Sequence, residues 1–181
     1  MSTIDRLVER YSDLVARPWD SSLAGDQKVW FVVYDPAQER RLRLHLTRFE
    51  IATRDARRGW RHLDLTQAFA EWMAAHRYRE RYFANPAFAI YALADFKAHL
   101  AGLVRDELRA EGVDGTTVVA LSGVASLFGL VRVSELIDDV AGEIKGRLVV
   151  FFPGSYDEKS YFRLLDARDG WDYLAVPITA S

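Results

Sequence analysis

Asp35, Asp64 and Ser122 each close a short apolar run that reads as a strand, and that placement gives them the best opening for chemistry. In open parallel sheets, ligands favour the crevice beyond the carboxyl ends of the strands. Those ends carry Tyr34-Asp35-Pro36, Asp64-Leu65-Thr66, Ser122-Gly123 and Pro153-Gly154-Ser155. Two carboxylates so placed can jointly hold magnesium and, with Ser122, run phosphoryl transfer, because hard cations want carboxylate oxygens. The same residues have a plainer use. Asp before Pro starts a helix, Asp64 or Thr66 makes a good N-cap, and Pro153-Gly154-Ser155 reads as a turn leaving its strand. Neither the phosphate loop G-x-x-x-x-G-K-[ST] nor the Rossmann fingerprint occurs, and G-x-S-x-G and S-x-x-K are missing too. His45, His62, His76 and His99 fall in separate elements without H-x-x-x-H or H-E-x-x-H spacing, and a chain with 0 Cys has no thiolate ligand, thiol nucleophile or disulfide. The residues thus point to no catalytic side chain, no metal and no cofactor. A cryptic magnesium site at Asp35, Asp64 and Ser122 stands as the alternative.

Two arginine-rich stretches offer binding instead. In HRYRERYF, Arg77, Tyr78, Arg79, Arg81 and Tyr82 combine phosphate contacts with stacking platforms suited to single-stranded nucleic acid. The competing reading is a continued helix that buries Phe69, Met73, His76 and Phe83 and turns its arginines to water. In QERRLRLHLTRFEIATRDARRGWR, Leu42, Leu46 and Phe49 make one helical stripe, whereas Leu44 and Ile51 point nearly the opposite way between Arg40 and Arg48. A surface helix has little reason for two apolar faces, so Arg40, Leu44, Arg48 and Ile51 form a candidate partner face, with packing inside the chain as the alternative. Leu46, on the other stripe, is expected to lie so deep that an Asp there unfolds the protein.

These residues must be held by a framework that the rest of the sequence describes. Ile4, Leu7, Val8, Tyr11, Leu14 and Val15 predict an amphipathic helix ending before Pro18. VWFVVYD is continuously apolar, as a strand covered on both faces should be. Pro36 opens a helix to about Thr53, a strand follows at Trp60 to Asp64, and another helix starts near Thr66. A long helix on Leu93, Phe96, Leu100, Leu103 and Val104 leads to the strand TTVVAL, a helix capped by Ser134 over ELIDDVAGEI, and the strand RLVVFF. YFRLL and WDYLAVPI flank DARDG and read as an antiparallel hairpin. The fold class is α/β, a three-layer sandwich with a mainly parallel sheet and an antiparallel C-terminal edge hairpin. One domain spans 1–181, with a helix at 1–17, a parallel core at 28–153 and the hairpin at 154–181.

With 24 basic and 26 acidic side chains the chain has no general attraction to polyanions, although 20 of the basic residues are Arg, a bias that suits bidentate contacts or reflects a G- and C-rich genome. No apolar run nears the roughly 20 residues of a membrane helix, and the charged MSTIDRLVERYSDL is no secretory signal, so a cytoplasmic protein without membrane contact is expected.

VWFVVYDP, WRHLDLTQAFAEWMAAHRYRERYF and above all FFPGSYDEKSYFRLLDARDGWDYLAVPI resemble the BrxB family of bacterial BREX anti-phage defence systems over nearly the whole length. The resemblance implies a subunit of a multi-protein system that tells host from phage DNA, beside a methyltransferase, a large ATPase and a PglZ-type phosphatase-like protein. A small component without a visible active site fits a non-catalytic adaptor or structural role. It implies other BREX proteins as partners, the PglZ-like subunit first, and DNA contact only through the complex. A phosphoryl-transfer enzyme or a nucleic-acid-binding subunit using the arginine-rich helices is the alternative.

Overall fold

The computed structural model describes residues 1–157, 161–165, 167–172 and 174–181. The first four strands, β1 (Val29–Tyr34), β2 (Gly59–Asp64), β3 (Thr117–Ser122) and β4 (Arg147–Asp157), run parallel in the spatial order β2-β3-β4-β1. Their apolar continuity has a direct cause, since alternate side chains enter two separate cores. Trp30, Val32, Tyr34, Val118, Ala120, Val149 and Phe151 meet α1 (Thr3–Ala16) and α2 (Glu39–Asp55) on one face. Phe31, Val33, Val119, Leu121, Val150 and Phe152 meet α5 (Leu93–Arg109) and α6 (Val133–Val140) on the other. The result is the three-layer α/β sandwich expected. α3 (Ala68–Ala75) and α4 (Arg79–Ala84) lead into α5.

The carboxyl-terminal part differs in detail from the sequence reading. An antiparallel hairpin is present, but it pairs β5 (Tyr161–Leu164) with β6 (Ala167–Asp172) and lies against the far end of β4, Gly154–Asp157. Asp166, in the expected turn, and Tyr173 lie outside the described residues. Val176–Ile178 is not the hairpin's second strand; as β7 it runs parallel to β1 and completes the sheet at that edge. Local alternation cannot reveal this, because β1 offers a free ladder to any extended segment that returns to it. Pro153-Gly154-Ser155 is likewise no turn. It continues β4, and a Cβ at 154 would sit 1.8 Å from the Arg163 carbonyl oxygen, so only glycine admits the hairpin there.

Three helix details also change. Ser134 is the second residue of α6 rather than its cap, which falls at Arg132 without a side-chain bond. The helix expected through HRYRERYF breaks at His76, whose backbone is extended, and Phe83 is exposed instead of buried. Pro86–Arg109 does reach the length and hydropathy of a membrane helix, contrary to the sequence estimate. Phe96, Leu100, Ala101, Val104 and Leu108 nevertheless form a stripe on the core.

α1 is fastened at its start. Ser2 and Asp5 form a reciprocal capping box, and Arg48 of α2 donates to Asp5 Oδ1 at 2.6 Å. The Arg48 bond first, then the Ser2 bonds, hold the Asp5 carboxyl well below its ordinary 3.8. Stability from a depressed carboxyl is complete above the ordinary value and lost as pH falls through the folded one. Asp5→Asn should therefore lower the urea midpoint at neutral pH, with a gap that closes in strong acid. A gap independent of pH would show that the charge plays no part.

Candidate functional site

At the carboxyl ends of the strands, the groups picked out for catalysis are each engaged by other residues. Arg43 projects from the first turns of α2 and donates from Nε to Glu39 Oε1 at 2.8 Å, from Nη1 to Asp64 Oδ2 at 3.2 Å and from Nη2 to Thr66 Oγ1 at 2.6 Å. The Tyr34 hydroxyl donates to the other Glu39 oxygen, and burial with that neighbouring carboxylate pushes the phenol far above its usual range. Asp64 Oδ1 accepts the Thr66 amide at 2.9 Å, and Asp35 accepts the Ala37 amide at 2.8 Å. Both aspartates therefore cap turns. Burial raises the Asp64 carboxyl, but the Thr66 bonds and Arg43 outweigh it and leave it below the ordinary value. Sequence spacing marked Asp64 but missed its neighbours, because Arg43 reaches it only after α2 folds back beside β2.

Ser122 and His62 are the second local pair, with His62 Nε2 2.8 Å from Ser122 Oγ across β2 and β3. Desolvation lowers the His62 pKa, so the ring is neutral at pH 7. Ser122 is buried, with its oxygen engaged by His62. Among the described residues no group of three His, Asp or Glu is close enough to hold a metal ion. The crevice over β4 is filled as well, because the hairpin sits on Gly154 and the Leu165 amide donates to the Pro153 carbonyl at 2.9 Å.

Gly123 ties these ends together. Its φ is +75°, and a Cβ would lie 2.4 Å from Thr66 Oγ1 and 2.6 Å from Asp64 Oδ1. Gly123→Ala should cost about 2 kcal/mol or more from left-handed strain and this clash, read as a lower urea midpoint. No change would mean that the β2 end yields freely.

The outer face of α2 shows the opposite condition, with good groups left unused. Leu44 is 76% and Ile51 52% exposed, while Leu42 and Phe49 on the inner face are buried. The two lie two turns apart on one stripe. Among the described residues Arg40 has no ion pair or side-chain hydrogen bond, whereas Arg48 is tied to Asp5 and so shapes the rim from α1. Beside Ile51 runs a groove of about 460 Å³ between α1 and α2, floored by Val8, Ser12, Ala16, Ala52 and Ala56. The sequence reading found the stripe but not the groove, whose signal was the run of small residues facing it from both helices.

Of the basic-aromatic residues, Arg79 donates to the Ala74 carbonyl at 2.8 Å, and Arg81 covers the Phe88 ring at 4.8 Å. Tyr82 packs beside His76, at 5.1 Å between ring centres. Arg77 lies 4.6 Å over the exposed Tyr78 ring, which itself packs 5.9 Å from His76. The exposure of Phe83, Ile90, Tyr91 and Phe128 escaped the sequence reading. Its sign was PAFAIYA, apolar without helical alternation.

The family model for the BREX protein BrxB matches residues 67–178, from the approach to α3 through β7. No curated protein and no solved structure matches the chain. The matched span includes HRYRERYF and the whole C-terminal stretch from Phe151, while VWFVVYDP and WRHLDL lie outside it. Residues 67–178 do not make this sheet alone, since β1 stands between β4 and β7. The chain belongs to the BrxB family and is a component of a BREX phage-defence system.

Proposed function

We propose that the chain is a non-catalytic adaptor working in the cytoplasm, which binds a PglZ-like BREX subunit through the outer face of α2 and meets DNA only through the assembly. The observation that carries this reading is the exposure of Leu44 and Ile51 in the middle of a well-packed helix. Folding accounts for Leu42 and Phe49 but gains nothing from these two, and an apolar stripe bordered by Arg is the composition of an interface centre and rim. The unpaired Arg40 adds attraction for a carboxylate on the partner, and the groove beside Ile51 accepts an apolar side chain.

The non-catalytic half of the proposal is supported by the carboxyl ends of the strands. Arg43 occupies Glu39 and Asp64, Ser122 is buried against His62, and the hairpin covers β4. A phosphoryl-transfer centre would need those oxygens free for metal and substrate.

Pull-down of the tagged chain from cells carrying the whole BREX operon tests the reading. The PglZ-like subunit is the expected stoichiometric companion. Its absence while another BREX protein is captured would replace it as the partner, and recovery of the chain alone would overturn the adaptor role.

A further inference from the structure

Three buried side-chain donors lack an acceptor among the described residues, Trp19 Nε1, Arg58 Nε and Arg147 Nε. All three belong to one cluster at the amino ends of the strands, far from the groups discussed above. Arg147 opens β4 and is 5% exposed, and Arg58 directly precedes β2. The Arg58 guanidinium carbon lies 4.1 Å and that of Arg147 4.8 Å from the centre of the Trp19 ring, and Arg147 is also 5.7 Å from Trp30. Two cations therefore share one indole.

Neither arginine has an ion pair among the described residues. Arg147 donates to the carbonyls of Gly146 at 2.9 Å and Asp20 at 3.5 Å, and Arg58 to that of Arg17 at 3.2 Å. The Asp20 carboxylate acts on Arg147 through space, but it is bound by the Ser22 amide at 2.8 Å and hydroxyl at 2.6 Å. Burial and the like charge of Arg58 together push the Arg147 pKa down. Burying a guanidinium without a counter-ion is costly, and placing a second one beside it adds repulsion. Stacking on Trp19 offsets part of this cost but supplies no acceptor.

An oxyanion would answer every one of these deficits. Two guanidiniums, each with an unpaired Nε–H, match a phosphoryl group, with its double charge and three acceptor oxygens, better than a carboxylate with two. We propose that Arg58 and Arg147 form a binding site for a phosphoryl group, which enters when the Trp19 ring swings away from the guanidiniums. The Trp19 side chain is borne by the segment between α1 and β1, whose residues 17–24 are largely exposed, so the movement breaks little else. This site is independent of the α2 face and stands or falls separately from it.

The phosphoryl group has two sources, a free phosphate or the end of a nucleic-acid strand. Thermal melting in sodium phosphate is compared with sodium chloride at equal ionic strength, and binding of a 5′-phosphorylated single-stranded oligonucleotide is compared with its 5′-hydroxyl form. A saturable rise in melting temperature specific to phosphate assigns the free ion; preference for the phosphorylated oligonucleotide assigns the strand end. Either response should weaken at least tenfold in Arg58→Gln, a half-exposed position that keeps the fold if Arg147→Met does not. No response in both arms, or a response undiminished in Arg58→Gln, overturns the site and leaves the cluster as a clamp on the segment before β1.

Discussion

Leu44→Asp is expected to leave the chain folded and to weaken the proposed complex with the PglZ-like subunit by about 3 kcal/mol, more than 100-fold in affinity. The fold is spared because Leu44 is 76% exposed and the new carboxylate stays in water. Binding suffers because the partner would bury that charge without an acceptor, and an unpaired charge in a desolvated contact is among the most expensive changes an interface can carry. Ile51→Asp, two turns along the same stripe, should do nearly as much. Isothermal titration with both purified proteins, alongside circular dichroism of each variant, gives the two quantities. If Leu44→Asp bound normally, the outer face of α2 would not be the contact.

Phe49→Ala, on the inner stripe of the same helix, should instead cost about 3–5 kcal/mol of stability. Its ring is fully buried, edge-on to Tyr11 at 5.2 Å and to Phe151 at 4.9 Å, and so joins α1, α2 and β4. Removing it leaves a cavity that three rigid elements cannot close. A domain stable by roughly 5–15 kcal/mol would keep its fold but lose much of its margin. Urea unfolding followed by circular dichroism measures this, and a loss under 1 kcal/mol would show that the α1–α2 layer is loosely packed. Leu46 is a poorer probe than its place on the stripe suggested. It is only half-buried at the border of that core, so an Asp there turns its carboxylate outward at a cost well short of unfolding.

The contrast between Leu44 and Phe49 was legible in the sequence because both lie on one helix, where 100° per residue settles which side each side chain takes. The same local logic gave β1, β3 and β4, whose unbroken apolar runs mean two covered faces. What it could not give was anything decided by the return of the chain from a distance. β7 joins β1 rather than the hairpin, Arg43 crosses from α2 to Asp64 and Thr66, and His62 meets Ser122 only because β2 and β3 are neighbours. Trp19, Arg58 and Arg147 form one cluster although each sits in a different part of the chain, and 20 arginines conceal the two that matter there. Phe83 was misread for a related reason. It lies seven residues after His76, at helical spacing, but the extended backbone at His76 breaks the phase.

The absence of cysteine from the chain permits a direct measurement of the central claim. Leu44→Cys creates a single thiol on the proposed face, and Tyr91→Cys places one outside it, where Tyr91 is 80% exposed. Maleimide labelling rates are measured for each variant alone and with saturating PglZ-like subunit. The expected result is at least a tenfold slowing at position 44 on complex formation and an unchanged rate at position 91. An unchanged rate at 44 in a complex shown to form, whether or not position 91 becomes protected, would contradict the assignment of the α2 face.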